Sequence, residues 1–168
     1  MEILEGIFKR RSIRKYKEKE VEEEKLRKII KAGMYAPSSR NRRPWFFIVI
    51  KNKKILKEIA DFHPYGKMLY TAPLAILVCG DKNIQEVEGY IALDCAASTQ
   101  NILLASFGLE LGTCWIGIYP RKERMDFIKK LLKLEENFIP ISLISLGYPD
   151  EKKQIPERFE EEKFKIIE

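Results

Sequence analysis

Three arginines and a serine stand together in the stretch RRSIRKY, Arg10 to Tyr16. A second stretch, APSSRNRRPW from Ala36 to Trp45, sets two serines and an asparagine beside a proline. A guanidinium fork matches phosphate oxygens, a hydroxyl serves a phosphate or a sugar, and an asparagine amide offers donor and acceptor to a heterocycle edge. Together these groups suit a phosphorylated heterocycle. Each alone has an ordinary explanation, because cations gather at the solvated C-terminal end of a helix and Ser and Asn are common turn residues.

Other chemistry is scarce. The one histidine, His63 in Asp-Phe-His-Pro, has no sequence support for a nucleophilic triad and reads as structural. No HExxH, EF-hand loop, CxxC pair or Walker lysine loop is present. Gly108-Leu-Glu-Leu-Gly112 follows a helix and precedes a strand, the reverse of a Rossmann phosphate loop, so it reads as a helix terminator. Cys79, Cys95 and Cys114 sit among apolar or small residues and read as buried thiols. Gln100 and Asn101 read as a buried polar pair bonded to backbone, and Trp45 and Trp115 as core residues.

The elements that must position the two stretches follow from periodicity. Ile3, Leu4, Ile7 and Phe8 recur at helical spacing, so a short helix delivers the arginines at its C-terminal end. A second helix runs from Val21 to about Met34, and Ala36-Pro37 ends it, leaving Ser38 to Arg43 as a loop. Trp45 to Ile50, Leu74 to Cys79, Thr113 to Ile118 and Pro140 to Leu146 read as strands. Helices carrying Ile55, Leu56 and Ile59, then Tyr90 to Phe107, then Arg121 to Leu132, lie between them. The Tyr90 to Phe107 run has Asp94 as its only charge and reads as a central buried helix ended by Gly108.

At 168 residues the chain can bury roughly 70% of its unfolded surface in one domain. Its 45% hydrophobic content argues against disorder. The net charge of +6 is uneven, with basic stretches at 9–19 and 40–54 and acidic ones at 20–24 and 157–162. That suits a local anion site better than a nucleic-acid surface, and the aromatics lie in apolar runs where they make no stacking platform. No secretory or membrane-spanning run is evident, so a cytoplasmic protein that binds neither membrane nor nucleic acid is expected.

In order and spacing these segments resemble the FMN-dependent nitroreductases, the nitro/flavin reductase family. The resemblance is carried by Ile7-x-x-Arg10-Arg11-Ser12-Ile13-Arg14-x-Tyr16, Ala36-Pro37-Ser38-Ser39-x-Asn41-x-x-Pro44-Trp45 and Ala97-x-x-Gln100-Asn101-x-x-Leu104-Ala105. It continues through Gly108-Leu109-x-Leu111-Gly112-Thr113-Cys114-Trp115-Ile116-Gly117 and Gly147-Tyr148-Pro149.

The resemblance implies an α+β fold, a central mainly antiparallel sheet with helices on both faces. It implies a homodimer with FMN sites at the interface and one domain over residues 1–168. Residues 150–168 would wrap the partner and add a strand to its sheet. Arg10, Arg11, Ser12 and Arg14 would come from one subunit, and Pro37, Ser38, Ser39 and Asn41 from the other. Ile116 and Gly117 would bring main chain to flavin N5, Arg158 would add a phosphate ligand, and Lys67 is a less specific match to a lysine near the pyrimidine ring.

Arg14 and Lys67 would then stabilise the negative charge that reduction leaves on the flavin. The implied activity is ping-pong: NAD(P)H gives hydride to the flavin, and a nitroaromatic, quinone or flavin acceptor then takes its place. Relatives that remove halogen or cleave flavin carry a lid between the second and third strands, whereas here only Asn83 to Gly89 separates strand from helix. One departure is Arg43, where the family often has glutamine.

Overall fold

The computed structural model describes residues 2–168. Five α-helices, α1 (Ile3–Lys9), α2 (Glu23–Met34), α3 (Lys53–Phe62), α4 (Glu88–Gly108) and α5 (Lys122–Leu132), surround four strands. These are β1 (Trp45–Ile50), β2 (Leu74–Asp81), β3 (Gly112–Gly117) and β4 (Phe138–Gly147), in the spatial order β1-β2-β4-β3. Every neighbouring pair is antiparallel. The α+β architecture is therefore the expected one.

Both faces of the sheet are covered, which explains why β2 reads as a continuous apolar run rather than an alternating one. Ala75, Leu77 and Cys79 point into a core shared with α3 and α5. Leu74, Ile76 and Val78 point into a second core with α2 and α4. The apolar stripe of α2 supplies Leu26 and Ile29 to that second core, while α4 supplies Ile91, Cys95, Ile102 and Leu103. Asn101 donates to the Ala32 carbonyl at 3.0 Å and ties α4 to α2.

Several boundaries differ from the sequence expectation. Helix α2 starts at Glu23, and Val21 is instead a buried residue of the α2–α4 core. Strand β4 begins two residues before Pro140. Cys79 pairs with Pro140 and Val78 with Ser142, so Ile141 is the extra residue of a bulge. A bulge tolerates a proline, which has no N–H to give the ladder.

Helix α4 also ends differently from the expectation. Its last residue is Gly108, but the left-handed position that closes it belongs to Glu110, at φ 63°. Leu111 N–H donates to the Ser106 carbonyl at 2.9 Å and Glu110 N–H to that of Phe107 at 3.0 Å, the paired bonds of a Schellman motif. A motif that usually carries glycine here holds a residue with a Cβ.

Beyond Pro149 the tail is extended and holds one 3-10 turn, Glu161–Lys163. Ile155, Phe159, Phe164, Ile166 and Ile167 stay exposed along it. Among the described residues no helix is long and apolar enough to cross a membrane.

The Glu110 geometry generates a stability prediction. Glu110→Gly removes the left-handed penalty and raises the unfolding free energy by about 1 kcal/mol. Urea titration would read this as a higher midpoint at unchanged slope. An unchanged midpoint would mean that the Glu110 side chain makes contacts offsetting its backbone strain.

Candidate functional site

Helix α1 ends at Lys9 and the chain then runs extended along the open edge of β3. Ser12 bridges Thr113 in parallel sense, and Ile13 N–H donates to the Thr113 carbonyl at 2.8 Å. Tyr16 bridges Pro149, Lys17 N–H bonds the Tyr148 carbonyl at 2.9 Å, and Asp150 N–H bonds the Lys15 carbonyl at 2.9 Å. The Tyr16 hydroxyl is buried between the Ile13 carbonyl and Ser145 Oγ, both at 2.7 Å. Burial pushes this phenol far up, so it stays neutral.

This docking needs Gly112. A Cβ there would lie 2.8 Å from Ile13 Cβ, closer than packed side chains allow.

The arginines so positioned have no anionic partner. Burial first, then Arg11 and Arg158, disfavour the charged form of Arg10, whose Nε is buried without a hydrogen bond. Arg11 Nη1 donates to the Arg10 carbonyl at 2.5 Å and its Nε to the Gln154 carbonyl at 3.3 Å. Glu151 accepts the main-chain N–H of Arg14 at 2.5 Å and pairs its other oxygen with Lys153 at 2.7 Å. Among the described residues, Arg10, Arg11, Arg14 and Arg158 make no ion pair, whereas Lys9, Arg27, Lys28 and Lys122 each pair four residues along a helix.

Arg14 and Lys67 line one cleft of about 790 Å³, with Tyr65, Tyr70, Cys114 and Trp115 in its walls. Lys67 Nζ donates to the Ala60 carbonyl near the end of α3, at 2.8 Å. Trp115 is 38% exposed here, which corrects its reading as a core residue. On the edge strand its neighbours Cys114 and Ile116 face the core, so the alternation turns its side chain outward.

That alternation also sorts the main chain. Thr113 offers its carbonyl to Ile13, so Thr113, Trp115 and Gly117 present N–H and C=O to the open edge. Cys114 and Ile116 turn theirs inward to β4. The Gly117 carbonyl accepts from His63 Nε2 at 2.9 Å and from Arg124 Nη1 at 2.8 Å.

The second predicted group lies elsewhere. Pro37, Ser38, Ser39 and Asn41 enter β1, where Ser39–Asn41 form a 3-10 turn rather than a plain loop. Ser38 Oγ accepts the Arg43 N–H at 2.9 Å, and Ser39 N–H donates to Asp94 Oδ1 at 2.9 Å. Arg40, Asn41 and Arg43 all have positive φ. Asp94, 7% exposed, thus anchors the turn from α4, and its other oxygen has no partner.

One chain therefore brings Arg10, Arg11, Ser12, Arg14, Lys67 and Arg158 to the β3 side. Pro37 to Asn41 stand at the β1 edge, three strand spacings or about 14 Å across the sheet. Residues that the sequence reading passed over are Asp94, Tyr65, Tyr70, Arg124 and His63. Of these, Asp94 showed as a lone charge on an apolar helix and His63 as the one histidine, read as structural.

Fold and site together define an α+β protein that concentrates cations without ion-pair partners at a sheet edge. The model of the nitroreductase family matches residues 7–64 and 63–148, and the chain belongs to that family. A relative from Methanothermobacter thermautotrophicus, provisionally named NADH dehydrogenase/NAD(P)H nitroreductase, is 47% identical over 151 residues, 90% of this chain and 79% of its own. An FMN-dependent nitroreductase from Clostridium difficile superposes with TM-score 0.90 at 35% identity, covering 98% of both chains. A protein from Desulfovibrio desulfuricans provisionally named a nitroreductase, solved in complex with FMN, gives TM-score 0.85 at 31% identity over 96% of this chain and 94% of that one.

Two predictions follow from this geometry. Gly112→Ala forces Ile13 away, lowering unfolding free energy by about 1–3 kcal/mol and weakening retention of an anionic cofactor. Denaturant titration and cofactor content check it, and a variant equal to the parent in both would show that the arginine segment docks without this close approach.

The other concerns pH. Burial above all, helped by Arg124, holds the His63 imidazole below its ordinary value of 6.5, against the opposing pull of its bond to Gly117. The unfolded chain therefore takes up a proton at higher pH than the folded one. This contribution to stability is complete above about pH 6.5 and is lost as pH falls through the lower folded value. Between pH 7 and pH 5 the parent should lose unfolding free energy faster than His63→Gln. Parallel pH profiles would remove the histidine from the account.

Proposed function

We propose that this chain is an FMN-dependent oxidoreductase that uses NAD(P)H to reduce nitroaromatic, quinone or flavin acceptors in a ping-pong cycle. The observation that carries the reading is the half-buried Arg10, crowded by Arg11 and the exposed Arg158, with none of the three in an ion pair among the described residues. The buried Nε of Arg10 fits a phosphate oxygen, which would relieve both the repulsion and the missing hydrogen bond. FMN supplies the hydride chemistry when bound, so the chain needs no acid, base or nucleophile of its own.

The protein's residues bind and orient. Arg10, Arg11, Ser12 and Arg158 hold the phosphate end. Arg14 and Lys67 stand in the aromatic-walled cleft where they favour negative charge on a reduced ring. Gly117 offers outward main chain to N5, whereas Ile116, buried in the core with its main chain turned to β4, does not reach it as expected. Pro37, Ser38, Ser39 and Asn41 reach the same ligand from a second copy of the chain.

Opposite placement of the two groups across one sheet supports a homodimer with two shared sites. Ile3, Leu4, Ile7 and Phe8 of α1 are exposed, as are the apolar residues of the tail, and a second copy would cover both. Residues 1–168 form a single domain in this reading, with 150–168 wrapping the partner and pairing its open β1 edge. The protein works in the cytoplasm on small-molecule acceptors.

Purified protein should be yellow, bleach anaerobically with NADH or NADPH, and run as a dimer in light scattering. Arg10→Ala and Arg14→Ala should each weaken FMN retention about tenfold or more while the unfolding transition stays in place. A colourless protein that FMN does not reconstitute would sink the proposal.

A further inference from the structure

We propose that His63 and Arg124 are positioning residues that clamp the main chain of Gly117 at the open edge of β3. The inference rests on the reading that this edge faces the flavin.

Three elements meet at the Gly117 carbonyl. His63 follows the last turn of α3, Arg124 sits in the first turn of α5, and Gly117 ends β3. The carbonyl accepts His63 Nε2–H at 2.9 Å and Arg124 Nη1–H at 2.8 Å. The hydrogen-bond network fixes the tautomer: His63 Nδ1 accepts the Tyr65 N–H at 3.1 Å, so the proton must sit on Nε2. With both ring nitrogens engaged and 1% exposure, the imidazole has no free lone pair for proton transfer. Its work is geometric.

Gly117 needs such a clamp. A Cβ there would meet nothing closer than Arg124 Nη1 at 3.9 Å, so packing does not demand glycine at this position. Glycine has the widest backbone freedom, and an edge strand restrains it from one side only. Two side-chain donors take the place of the absent neighbouring strand. They fix the carbonyl, and with it the residue whose N–H points out of the same edge.

The clamp also reaches the cleft. The Arg124 guanidinium lies 6.0 Å from the Tyr65 ring centroid, and Tyr65 is a wall residue of the cleft holding Arg14 and Lys67. His63, Gly117, Arg124 and Tyr65 thus close a ring of contacts joining the β3 main chain to that wall. A donor held in place before ligand arrives loses little freedom on binding, which is how preorganised sites gain their effect.

The test compares Arg124→Met, Arg124→Lys, His63→Leu and His63→Gln in the full chain. The backbone order parameter of the Gly117 amide, by NMR relaxation in FMN-loaded and cofactor-free protein, should fall from about 0.85 to below about 0.6 in Arg124→Met and His63→Leu. The Lys and Gln variants, which keep a donor, should recover most of it. Bleaching of bound FMN by NADH should slow about fivefold per lost bond, while FMN retention, set by the distant arginines, stays within about twofold.

Unchanged order at Gly117 in Arg124→Met overturns the proposal, and so does loosening spread equally along β3 to Thr113. Arg124 is only half-buried, in the first turn of α5, so its variants carry the test even where His63→Leu, at a buried position, does not fold. Should the protein hold no FMN, the cofactor-free measurement still decides the clamp, and the failure of the flavin reading shows separately as a colourless protein.

Discussion

The hydrogen bond from Ile13 N–H to the Thr113 carbonyl governs much of what this molecule can do. It lays the N-terminal segment along β3 and turns the arginines toward the end of α4. It also fixes which residues of β3 face outward, because a ladder with a two-residue period leaves no choice once one residue is set. Trp115 and Gly117 meet solvent for that reason. The bond forms only where the chains come very close, which is why a glycine stands next to the acceptor.

Charge is distributed by the same logic. Along the helices, cations and carboxylates pair at four-residue spacing and contribute little, as exposed pairs do. At the β3 edge the cations crowd one another without such relief. The groups that could act as nucleophiles are neutralised: Cys79 is pushed up to about 12 by burial, and burial raises Cys95 and Cys114 as well. A chain that offers fixed positive charge and withholds reactive groups suits chemistry carried by a bound cofactor.

Much of the fold was legible in the sequence because strand and helix periods were strong. Every helix and strand for which periodicity set bounds lies within two residues of its expected place. Strand order and direction left no local trace, because β2 is buried on both faces and shows no alternation. The arginine cluster was legible as charge, yet its lack of counterions was not, since Glu151, 137 positions from Arg14, meets it in space but gives its carboxylate to the Arg14 main-chain N–H and to Lys153. His63 read as structural because a lone histidine usually is, and only its position beside Gly117 gives it a further task. Asp94 stood out as an isolated charge, but its bond to Ser39 crosses 55 positions and could not be foreseen.

The proposed dimer follows from topology more than from exposed apolar area. The arginine segment docks on β3 and the serine turn enters β1, and these are the two outer strands of one sheet. No rotation of side chains can close a gap of three strand spacings, roughly 14 Å. A two-fold axis can, because it brings the β1 side of one copy to the β3 side of the other and makes two equivalent sites at once. Under that arrangement cofactor binding and association stabilise each other, since a ligand held by both chains is bound only by the pair. The exposed tail fits the same scheme: a segment with five apolar residues among charges cannot bury them within its own chain, but it can do so across a partner.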